Sequence, residues 1–70
     1  MLDNKSLLVL TYLKNHFAQS GQAVQSVEII IEGLSPLDIE ESFRILDDKG
    51  LITSDDKRYL GRITVTGLSD

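Results

Sequence analysis

Ser35-Pro36-Leu37-Asp38-Ile39-Glu40-Glu41-Ser42-Phe43-Arg44-Ile45-Leu46-Asp47-Asp48-Lys49-Gly50-Leu51-Ile52 reads as a helix with a signal at each end, running directly into a strand. A serine side chain before a helix accepts a hydrogen bond from one of the free amides of the first turn, which makes Ser35 an N-cap. Pro36 follows at the first helical position, where its missing N–H costs nothing and its fixed φ already suits the helix. Asp38 completes a capping-box-like pair with Ser35. Ile39, Phe43 and Leu46 recur at helical spacing and form one buried stripe. Gly50 can take the left-handed conformation that ends a helix. Leu51-Ile52-Thr53 then reads as a strand.

The chain upstream supplies what this helix packs against. Asp3 or Asn4 can cap a first helix. Leu7, Leu10, Leu13 and Phe17 place one apolar face along it, with Val9 and Tyr12 widening or flanking that face, and Ser20-Gly21 ends it. Gln22–Gln25 can form a short edge strand. Over residues 26–34 two patterns compete. Val27, Ile30, Ile31 and Leu34 fall at helical spacing behind a Ser26 cap. Val27, Ile29 and Ile31 also alternate, and β-branched residues favour strands. Gly33 is a good helix stop, and the arrangement of the whole chain favours the helix. Ile29-Ile30-Ile31 is expected in the core. Only Gly33-Leu34 would then separate the second and third helices, a tight helix-turn-helix connection.

Downstream, Ser54-Asp55-Asp56-Lys57 is polar and turn-rich. A second strand is expected over Tyr59–Thr66, with Tyr59, Ile63 and Val65 on one face and Arg62, Thr64 and Thr66 on the other. Gly61 is a candidate bulge or kink.

The order helix, turn, helix, helix, hairpin resembles the winged helix-turn-helix superfamily over nearly the whole chain. The most specific local match is Ile45-Leu46-Asp47-Asp48-Lys49-Gly50-Leu51-Ile52. In that superfamily a leucine, a charged pair and Lys-Gly-Leu-Ile mark the junction between recognition helix and wing. The resemblance implies a single α+β domain over residues 1–70, a small winged helix-turn-helix with three helices followed by a C-terminal β-hairpin wing. Members often continue into another helix after the hairpin. The same fold hosts DNA readers, RNA binders and protein-docking modules, so it does not fix the function.

In DNA-binding members the early residues of the recognition helix reach base edges in the major groove. Carried onto this chain, those positions are Ser35, Leu37, Asp38, Glu40, Glu41 and Arg44. Glutamate can accept from a cytosine amino group, but arginine to guanine is the commoner contact. The net charge of −4 and pI of about 4.7 oppose phosphate at long range. The bases are unevenly placed: Arg44, Lys49, Lys57, Arg58 and Arg62 lie in the second half, whereas the first 34 residues hold only Lys5 and Lys14.

Two readings follow. In the first, the chain is a regulatory module of transcription that binds DNA through Arg44, Lys57, Arg58 and Arg62, with help from a partner or a second copy; a homodimer is compatible with it. In the second, Asp38, Glu40 and Glu41 dock on a basic protein surface and DNA is not bound. Helix electrostatics alone also accounts for acids near the helix start and Lys49 near its end.

Nothing in the chain points to catalysis. His16, near the end of the first helix, suits a capping or surface role. Neighbouring helical residues do not face each other, which weakens Asp47-Asp48 as a two-carboxylate site. Asp55-Asp56 lacks the further ligands of a calcium loop. There is no glycine-rich phosphate loop and no cysteine, hence no disulfide framework or thiolate metal site. Neither a cofactor nor a metal is expected. The longest fully apolar run, Leu7–Leu10, is far too short for a membrane span, and Met1-Leu2-Asp3-Asn4 carries none of the basic charge that opens a secretory signal. A cytoplasmic location is the expectation.

Overall fold

A computed structural model of the chain describes residues 2–57 and 62–69; the side chains of Asp56, Lys57 and Arg62 lie outside that description. Helix α1 spans Asn4–Gln19 and α2 spans Pro36–Asp48, with strands β1 (Val24–Gln25), β2 (Ile52–Lys57) and β3 (Arg62–Leu68). Among the described residues the architecture is α+β: two α-helices and a three-stranded antiparallel sheet of order β1-β3-β2.

The helix ends follow local chemistry. Asp3 caps α1, its Oδ1 accepting from the Ser6 amide at 3.1 Å. At α2 the capping box is closed in both directions: Ser35 Oγ accepts from the Asp38 amide at 3.2 Å, and Asp38 Oδ2 accepts from the Ser35 amide at 3.1 Å. At the other end Gly50 has φ 71°, and the amides of Gly50 and Leu51 donate to the carbonyls of Asp47 and Leu46. These two bonds satisfy carbonyls the helix leaves open and turn the chain into β2.

The expected helix over residues 26–34 is not present. In its place a single 3-10 turn spans Ser26–Glu28, followed by extended chain from Ile29 and a turn at Gly33, φ 87°. The physical reason lies in the run Val27-Glu28-Ile29-Ile30-Ile31, where every residue but Glu28 is β-branched and stiff against the preceding turn of a helix. The extended chain sends neighbours to opposite sides. Ile29 is buried, Ile31 is half-buried against the core, and Ile30 is 90% exposed. The placement of Ile30 in the core is therefore corrected.

The core is formed by Val9 and Leu13 of α1, Ile39, Phe43 and Leu46 of α2, Val24, Ile52, Ile63 and Val65 of the sheet, and Ile29. Leu10 and Phe17 pack on its margin, whereas Leu7 is 47% exposed. The buried line of α1 is Ser6, Val9 and Leu13, rotated from the expected leucine stripe.

The hairpin also differs in its turn. Ser54–Lys57, expected as turn, continues β2. The pairing of β2 with β3 runs up to Lys57 and Arg62, and Tyr59 and the candidate kink at Gly61 lie outside the described residues. The irregularity instead sits at the strand base, where Thr53 pairs with Gly67 but Ser54 pairs with Val65. The extra residue, Thr66, shifts the phase of β3. Val65 and Leu68, three residues apart, can then both pack on the core, which strict alternation would forbid.

Candidate functional site

Each candidate side chain on α2 is set by its position around the helix. Ile39, Ser42, Phe43 and Leu46 face inward. Leu37, Glu41, Arg44 and Asp48 recur at helical spacing on the opposite, exposed face. Asp38 and Glu40 lie at the two margins between these faces, and both are engaged.

Asp38 joins the two helix starts. Besides its capping bond to Ser35, its Oδ1 accepts from Lys5 Nζ of α1 at 3.1 Å. The Ser35 amide and then the Lys5 ammonium stabilise the charged form and hold this carboxyl below the usual aspartate range.

Glu40 reaches the other way. Its Oε2 accepts from Ser26 Oγ at 2.7 Å, which fastens the 3-10 turn to α2. Ser26 is buried and Glu40 half-buried. Glu40 Oε1 is shielded from solvent and has no hydrogen-bond partner among the described residues. Of the three acids expected to form a docking face, only Glu41 is exposed.

The expected wing bases are placed less closely. Arg44 is exposed on α2. Lys57 and Arg62 are register partners at the far end of the β2–β3 hairpin. Arg58 follows Lys57 in the stretch outside the described residues.

Sequence reasoning placed Leu37 among the outward positions at the start of this helix but missed Val27 and Ile30 as exposed apolar neighbours. Leu37 is 79% exposed at the start of α2, and Val27 is 59% exposed in the turn that Ser26 fastens to it. The extended alternation of Ile29, Ile30 and Ile31 was the available signal for the exposure of Ile30.

His16 Nε2 donates to the Gln22 carbonyl at 2.7 Å and its ring packs edge-on to Phe17. The histidine thus closes the loop between α1 and β1. Among the described residues no group of three His, Cys, Asp or Glu side chains is arranged to hold a metal ion. A cleft of about 230 Å³ is lined by Leu10, Lys14, Leu51, Leu68 and Ser69 and presents no acid–base pair. No helix among the described residues is long and apolar enough to cross a membrane. Comparison with family profiles, with curated proteins and with solved structures finds no match.

Proposed function

We propose that the chain is a non-enzymatic regulatory module of winged-helix type that docks on a basic protein surface through α2. The order α1, 3-10 turn, α2, hairpin supports the winged-helix reading, with the second helix shortened to the turn Ser26–Glu28. The observation that carries the docking reading is the composition of the open face of α2. Leu37, Glu41, Arg44 and Asp48 offer one base against two acids and a water-exposed leucine. Such a face repels phosphate on both walls of a DNA groove and attracts lysine and arginine side chains.

A second reading, DNA binding in transcription regulation through Arg44, Lys57, Arg58 and Arg62, is favoured by the register pair Lys57 and Arg62, which gathers bases at one end of the hairpin. Salt titration against random duplex DNA, beside titration with a Lys-rich helical peptide, tests the choice. Docking on protein predicts peptide binding whose on-rate falls in Glu41→Gln, because steering charges act on encounter. Tighter binding to duplex DNA, with a salt slope flattened by about 2 in the Arg58→Ala/Arg62→Ala variant, overturns it in favour of DNA.

A further inference from the structure

The geometry points to Val27, Ile30 and Leu37 as the apolar anchors of the interface, and to a basic amphipathic helix of a partner protein as its occupant. This deepens the protein-docking reading and rests on it. Val27 is 59%, Ile30 90% and Leu37 79% exposed. Single exposed apolar residues are ordinary on a protein surface. These three share one short stretch, residues 26–37, which is held to α2 by the Ser26–Glu40 hydrogen bond. Val27 follows Ser26 directly, and Leu37 lies one helical turn before Glu40. The bond therefore brings the turn that carries Val27 up to the helix that carries Leu37. Ile30 stands between them in sequence, in extended chain whose neighbours Ile29 and Ile31 turn to the core.

Charge selects the occupant. No lysine or arginine occurs between Lys14 and Arg44, while Glu28, Glu32, Asp38, Glu40 and Glu41 all fall in that interval. Asp38 and Glu40 are spent on Lys5 and Ser26, which leaves Glu32 and Glu41 exposed in the same part of the chain as the apolar residues, with Glu28 exposed beside Val27 while its Oε1 accepts from the Gln25 amide. Exposed aliphatic side chains rimmed by carboxylates complement a helix with leucines on one face and lysines flanking it. They match neither a phosphate backbone nor an acidic peptide.

Titration with two synthetic helical peptides tests this, one with leucines at helical spacing among lysines and one with those leucines replaced by serine. The Leu/Lys peptide is expected to bind the native chain and the Ser/Lys peptide to bind at least tenfold more weakly. Leu37→Ser and Ile30→Ser should each weaken Leu/Lys peptide binding by about tenfold or more, the effect of removing a well-buried aliphatic anchor. Leu8→Ser, which removes a half-exposed leucine from α1, should leave it unchanged. Because the altered side chains are exposed, unchanged thermal melting confirms that each variant is folded. If the peptide binds and depends on Glu41 but not on Leu37 or Ile30, the anchor assignment is overturned while docking on a basic protein stands. If neither peptide binds, or if only duplex DNA binds, both readings are overturned.

Discussion

Ser26 Oγ donates a 2.7 Å hydrogen bond to Glu40 Oε2, and through it a one-turn 3-10 segment stands where a longer helix was expected. A glutamate that would otherwise face a ligand becomes part of the fold. A bond to a charged acceptor contributes about 1.5–3 kcal/mol, more than a neutral one. Its partner is supplied by a residue fourteen positions earlier in the chain.

Ser26→Ala should therefore destabilise the protein by about 1–3 kcal/mol, because the carboxylate is left without its donor. In a Glu40→Leu background the same change should cost much less. A double-mutant cycle in chemical denaturation reads the difference, and additive effects of the two substitutions would show the bond to be energetically idle.

Ser6 presents the opposite case. It is fully buried on α1, and its Oγ has no hydrogen-bond partner among the described residues. An unsatisfied buried hydroxyl costs about 1–3 kcal/mol, but the Ser6 side chain also favours the ionised form of Asp3, the cap of α1, so the two effects oppose and Ser6→Ala should change stability by less than about 1 kcal/mol. Thermal melting checks this; a markedly lower melting temperature would mean that the support given to Asp3 outweighs the cost of the buried hydroxyl.

Phe43 and Leu46 are fully buried at the centre of the core. Phe43→Ala should cost about 3–5 kcal/mol, close to the whole stability of so small a domain. Loss of cooperative unfolding, or a large fall in denaturation midpoint, is the expected reading. An unchanged midpoint would show that Phe43 does not hold the helices to the sheet.

Parts of this fold were legible where the determining chemistry is local. Ser35, Pro36, Asp38 and Gly50 mark α2 within a residue or two, because caps and left-handed glycines act over one turn. The stretch 26–34 was not legible. Its apolar residues fit two periods, and the competition was settled by which isoleucines the core could take. The hairpin turn was misplaced because Asp55-Asp56 looks like a loop, whereas charged residues also belong on an edge strand such as β2, where they discourage pairing with another chain. For the candidate site, residue types were readable but engagement was not. Asp38 and Glu40 are bound to Lys5 and Ser26, partners 33 and 14 residues away, and no spacing rule connects them.

The junction from α2 to β2 depends on Gly50, whose φ of 71° a β-branched residue tolerates poorly. Gly50→Val should destabilise more than Ser35→Ala, for which loss of the cap predicts about 1 kcal/mol. Urea midpoints of the two variants give the order. Equal midpoints would imply that the turn relaxes into another conformation at little cost.

The Lys5–Asp38 pair sets a pH dependence of definite sign. The Ser35 amide and the Lys5 ammonium favour the ionised form of Asp38 in the folded chain, so its folded pKa lies below its unfolded one. The unfolded chain therefore binds the proton more readily. The contribution is fully present above the ordinary aspartate value of about 3.9 and is lost as pH falls through the lower folded value. Other carboxylates titrate in the same range, so the informative quantity is the difference between the native chain and Asp38→Asn. That difference should be constant near neutral pH and shrink on acidification below about pH 4. Lys5 is about half exposed, its side chain retaining 53% of its surface, so added salt should reduce the Lys5 share while sparing the capping bond to Ser35. Denaturation midpoints of both proteins across this range provide the measurement. A difference that stays constant down to pH 2, or grows on acidification, would show that Asp38 is not held ionised by these partners.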